Sequence, residues 1–135
     1  MDIIKDIIYL FLPVMSVYLV SLLYPVTNNA GKSVSFRPPP YVFAIVWPIL
    51  LLLIGYSWIL REDITLFYFI LTLLLSCWSI VFTYSKLLAF YEIILTIIFA
   101  LIVCFYKFQV LSSLLLIPLI LWLSFAGVLN YYSIE

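Results

Sequence analysis

Apolar residues run along this chain in five long blocks, separated by short polar marks at nearly even intervals. After Asp2, Lys5 and Asp6 the first block covers about residues 7–26, and the longest polar segment, 27–37, follows it. A second block covers 40–60 and stops at Arg61-Glu62-Asp63. The third covers 64–84, the fourth 87–106 after Lys86, and the fifth 110–132 after Lys107 and Gln109. Each is close to the roughly 20 apolar residues that a helix needs to cross a bilayer. The blocks are continuous and rich in Leu and Ile, with no strict alternation, which favours helices over the strands of a closed barrel, the other spanning architecture. The pattern predicts an all-α integral membrane bundle of five transmembrane helices in a single domain, with its two termini on opposite sides.

Local signals refine this outline. The first block is longer than the apolar core of a secretory signal peptide and has no small-residue cleavage site before the polar segment. Asp63 is expected to cap the third helix, its carboxylate accepting a bond from an amide at the helix start. Pro13, Pro48 and Pro118 fall inside blocks, where each removes an amide and frees a carbonyl that a neighbouring helix must cover. Lys5, Arg61 and Lys107 fall on one side of the membrane and Lys32, Arg37 and Lys86 on the other. That even division gives the positive-inside rule nothing to act on.

Composition narrows the function classes. At 68% hydrophobic and 9% charged residues, far from the roughly 25% charged of soluble domains, the chain has almost nothing left for an extramembrane domain. Six basic and six acidic residues cancel, so there is no basic field for nucleic acid. Histidine is absent and the three glycines are scattered, which excludes Ser-His and Cys-His catalysis and a phosphate-cradling loop and leaves no expected metal site. Cys77 and Cys104 lie deep in apolar blocks and read as buried, unpaired thiols. Glu92, roughly a turn and a half past Lys86, is the one carboxylate well inside a block. An intramembrane carboxylate is a functional candidate, but an anchor able to reach water or Lys86 is the plainer reading.

Aromatic residues make up 19% of the chain, and this surplus carries the candidate chemistry. Tyr84, Tyr106, Tyr131 and Tyr132 stand at block ends, as interfacial belt residues do. Trp47 and Trp58 are close to three helical turns apart and share a face. Trp58, near the far end of its block, reads as an interfacial anchor. Trp122, Ala126 and Asn130 recur at four-residue steps on one face of the last helix: a large ring, a small residue and an amide. Such a stripe is ordinary helix packing or one wall of a site for a flat ring.

The stretch Ser35-Phe36-Arg37-Pro38-Pro39-Pro40-Tyr41-Val42-Phe43-Ala44-Ile45-Val46-Trp47, with Gly55 beyond it, resembles the signature entering the second helix of the translocator protein family, also called tryptophan-rich sensory proteins or peripheral benzodiazepine receptors. Trp78-Ser79 with Phe82, Ala89 to Glu92, and Pro118, Trp122, Phe125, Ala126, Leu129 and Asn130 follow in the family's order. The resemblance implies a five-helix bundle whose ligand cavity is roofed by the loop between the first two helices. It places Trp47, Trp78, Phe82, Trp122, Ala126 and Asn130 at the ligand, and Pro38, Pro39 and Phe43 in the roof. Porphyrins or haem are the implied ligands, with sterols and benzodiazepine-type compounds in some members. No cofactor is required, and a homodimer is implied.

The chain also departs from the family pattern. Leu75 stands where an asparagine usually precedes the Trp-Ser pair, Leu51 stands in place of an aromatic, and Ala44-Ile45 replaces a common Gly-Pro. The C-terminus lacks the basic residue of the family's sterol pattern, and Val81, Tyr84 and Lys86 meet only its loosest form. Three functions follow as expectations. The first is a membrane-embedded binding protein for tetrapyrroles, acting as carrier, sensor or stress modulator. The second is a light-dependent porphyrin-degrading enzyme using Trp47 and Trp122, and the third is a small transporter.

Overall fold

The fold follows from the length and continuity of the apolar blocks. Each becomes one helix in the computed structural model, which describes residues 3–24, 40–106 and 109–133. The helices are α1 (Ile3–Leu23), α2 (Pro40–Leu60), α3 (Thr65–Tyr84), α4 (Lys86–Phe105) and α5 (Val110–Ser133), and a 3₁₀ turn, Glu62–Ile64, joins α2 to α3. Among the described residues there is no strand. Four of the helices are long and apolar enough to cross a membrane. The other, α2, has 21 residues and stands between α1 and α5. The helices form a closed ring in which neighbours run α1, α2, α5, α4, α3 and back to α1. This is an integral, multi-pass bundle, and its lipid-facing surface is the row of exposed Ile, Leu, Phe and Tyr side chains on every helix.

Several local expectations are corrected. The first helix begins at Ile3, so Lys5 and Asp6 lie in its first two turns. Asp63 does not cap α3: it sits in the 3₁₀ turn, and its carboxylate accepts from the Arg61 guanidinium at 3.2 Å. A charged partner within reach outcompetes a helix amide for the same oxygen. The side-chain cap appears instead at α4, where Ser85 Oγ accepts from the Leu88 amide. Cys104 is buried as expected, but Cys77 is exposed. It lies on the outward stripe of α3 with Leu66, Phe69, Leu73 and Tyr84, at the spacing of one helix face. Lipid receives a thiol there as readily as a leucine.

Trp58 is the largest correction. Its indole is 1% exposed, stacked on Tyr9 at 4.7 Å and lying nearly parallel to Tyr68 at 6.0 Å. Its Nε1 donates to Thr65 Oγ1 at 3.3 Å. Facing inward, it joins α1, α2 and α3 rather than marking the membrane surface. The half of the ring holding Trp58 is filled by Leu51, Ile54, Leu71, Leu75, Val103, Cys104, Leu116 and Leu119. Leu51 and Leu75, both departures from the family pattern, are part of this filling. Polar links close the same end. Tyr68 Oη and Ser57 Oγ are 2.6 Å apart, Ser57 donates to the Ser112 carbonyl at 2.8 Å, and Arg61 reaches the Tyr106 carbonyl at 3.4 Å.

The tightest approach is between α1 and α2. A Cβ on Gly55 would overlap the Leu10 backbone carbonyl, so the two helix backbones touch where Gly55 has no side chain. Pro13, buried on the same stretch of α1, adds ring surface without an amide that needs a partner. Each proline-containing helix continues through its proline. Gly55→Ala should destabilise the detergent-solubilised protein by roughly 1–3 kcal/mol, because backbone must move to admit a methyl. Trp58→Ala should cost on the order of 3 kcal/mol through the void it leaves. Thermal unfolding in a fixed detergent measures both, and parental stability for either would contradict the packing described. Tags beyond the ends of α1 and α5 should be reached from opposite faces of the membrane, whereas labelling of both from one face would require an even number of spans.

Candidate functional site

The described ends of α1 and α2 that flank segment 25–39 define the near end of the bundle. Of the aromatic residues singled out in the sequence, Trp47, Trp78, Phe82 and Trp122 lie in that half or at its edge, while Trp58 lies toward the opposite end. Trp47 lies two turns into α2, and Trp122 is at the middle of α5. Because α2 and α5 are neighbours in the ring, the two indoles meet edge to face, with centroids 6.3 Å apart and planes at 89°. Both rings are half-buried and pack on the edge of the core beneath. Phe125 lies 5.4 Å from Trp122. Ala126, half-buried, stands one turn above Trp122 on the same face. Next to it, Gly127 faces the other way and takes the Ile93 side chain of α4.

A second group forms where α3, α4 and α5 converge. Trp78 and Phe82 pack with centroids 4.9 Å apart. The Trp78 Nε1 donates to Asn130 Oδ1 at 3.1 Å, and Asn130 Nδ2 donates to the Lys86 carbonyl at 3.1 Å. Asn130 is 3% exposed, so both ends of its amide are satisfied inside the protein. Its bonds tie α3, α4 and α5 together. Ala89, with 0% exposure, provides the small side chain beneath Phe82. The Lys86 ammonium stands over the Phe82 ring, 5.9 Å from its centroid.

The structure thus brings Trp47 and Trp122 together in one group, and Trp78, Phe82 and Asn130 in another. The two share helix α5, on which Trp122 and Asn130 are eight residues apart, or about 12 Å of axial rise. Pro38, Pro39, the loop 27–37 and the Phe43 side chain lie outside the described residues. Lys86, which in sequence is one more charge between two apolar blocks, stands beside the second group.

Glu92 does not pair with Lys86. It is half-buried in α4, and its Oε1 accepts from Thr96 Oγ1 at 2.8 Å, while its Oε2 is buried with no hydrogen-bond partner among the described residues. The tyrosines expected at the interface, Tyr84, Tyr106, Tyr131 and Tyr132, are all exposed. No group of His, Cys, Asp or Glu among the described residues could hold a metal ion.

The two groups together offer flat rings, the small residues Ala126 and Ala89, and few polar atoms. No curated protein matches the chain. The family comparison does match, over residues 7–134, nearly the whole length. Together with the five-helix ring and the tryptophans at its near end, that match makes the chain a member of the TspO/MBR family, membrane proteins with a general ligand-binding or sensory role.

Proposed function

We propose that this protein binds a flat hydrophobic ring of the tetrapyrrole class, porphyrin or haem, in the near half of the bundle, and acts as a carrier, sensor or stress modulator. The observation that carries the reading is the meeting of Trp47 and Trp122 at 6.3 Å from helices distant in sequence, with the small Ala126 one turn above. An indole face binds a rigid ring with little loss of side-chain freedom, and an alanine leaves room for the ring to lie close. The filled far half, closed by Trp58, Tyr68, Ser57 and Arg61, favours binding over a through-going path, which would need polar groups along its length.

Light-dependent degradation of the ligand is a second reading, favoured by the two adjacent indoles on which an excited ring could act. Product analysis after illumination separates the two, because a pure binder returns its porphyrin unchanged.

The test of binding is quenching of tryptophan emission by protoporphyrin, titrated in detergent. Trp47→Ala and Trp122→Ala should each cost about 2 kcal/mol, roughly thirtyfold in affinity, from lost ring contact and buried area. Ala126→Phe should block binding by filling the space over Trp122. Tyr56→Phe, on the exposed face of α2, should bind as the parent does. Parental affinity in both alanine variants, with the fold intact by circular dichroism, would mean that the paired indoles are packing and nothing more.

A further inference from the structure

We infer that Lys86 is the group that recognises an acidic substituent on the ring ligand, so that the site selects flat rings bearing a carboxylate over neutral ones. This rests on the ring-binding reading above and adds the chemistry of one edge of the ligand.

Three observations lead there. The first is position. Asn130 holds the Lys86 carbonyl and the Trp78 indole at 3.1 Å each, so the first residue of α4 is fixed at the level of Asn130. That level is about 12 Å nearer the membrane surface than Trp122, counted along α5. A tetrapyrrole resting on the Trp47–Trp122 pair and extending toward the near end brings its peripheral substituents to this height.

The second is direction. A lysine at the end of a span ordinarily turns outward to the headgroups. The Lys86 ammonium stands instead over the ring of Phe82, which is 5% exposed and packs on Trp78. The charge is therefore held against the Trp78–Phe82 group, beside Asn130 on the helix that carries Trp122. A cation over a ring face keeps its charge available to an anion on its other side.

The third is availability. Of the three basic residues described, Lys5 and Arg61 stand at the far end against Glu62 and Asp63, at 3.8 and 3.2 Å. Lys86 has no carboxylate partner among the described residues. Glu92, the nearest acidic residue along α4, has turned one oxygen to Thr96. An ammonium with no carboxylate beside it among the described residues gains from a ligand that brings one. Asn130, with both ends of its amide in use, leaves recognition of a ligand acid to Lys86.

The experiment compares protoporphyrin, which carries two carboxylates, with its neutral dimethyl ester, on the parent, Lys86→Gln and Lys86→Arg, by the same quenching titration at low and moderate salt. The parent should bind the acid about tenfold more tightly than the ester, as expected for one charge-assisted contact. Lys86→Gln should abolish that preference by weakening the acid while leaving the ester unchanged, and Lys86→Arg should restore most of it. Unchanged ester affinity shows that the variant is folded and that the ring site is intact. A preference that persists in Lys86→Gln, or equal binding of acid and ester by the parent, overturns the role of Lys86 and leaves the ring-binding reading standing. Absence of binding by either compound to the parent overturns both.

Discussion

Inside a bilayer, helices gain little by hiding apolar side chains from one another, because lipid tails are as apolar as leucine. What holds such a ring together is close contact and the hydrogen bonds that cross between helices. The approach of Gly55 to the Leu10 carbonyl is the sharpest case of the first. The bond between Ser16 Oγ and Ser76 Oγ at 2.8 Å, which joins α1 to α3, and the Ser57–Tyr68–Ser112 links are cases of the second. Each polar side chain so used would otherwise stand unsatisfied where no water can reach it. Ser16, Ser57, Ser76 and Ser113 are thus joints between helices.

That constraint divides the bundle into two unlike halves. At the far end, the Tyr9–Trp58–Tyr68 stack, the aliphatic core and the Arg61–Asp63 pair hold all five helices to one another. At the near end large rings meet, with Trp47 against Trp122 and Trp78 against Phe82. A packed base of this kind fixes the spacing of the aromatic side chains above it.

The same division explains how residues with similar sequence signals came to different ends. Trp47 and Trp58 share a face of α2, yet one stands at the edge of the candidate site and the other is sealed in the core. Cys77 and Cys104 occupy similar apolar contexts, and one faces lipid while the other faces Ser113. In a membrane helix both faces are apolar, so hydrophobicity does not mark which one turns inward. Neighbouring helices make that choice.

The sequence by itself determined the number of helices, their approximate limits, the membrane as their solvent and the family, because lipid demands unbroken apolar runs and the signatures near Trp47 and Trp122 are local strings. It also placed Trp122, Ala126 and Asn130 on one face, a matter of helical period alone. Only the tertiary structure decided that α2 lies beside α5, so that Trp47 meets Trp122. It alone decided that Trp58 is core, that Asp63 serves Arg61 rather than a helix start, and that Asn130 spends its amide on Trp78 and Lys86. These outcomes rest on pairings between residues tens of positions apart, 52 in the case of Trp78 and Asn130. Such pairings are set by the order in which helices close the ring, and no periodicity within one helix encodes that order.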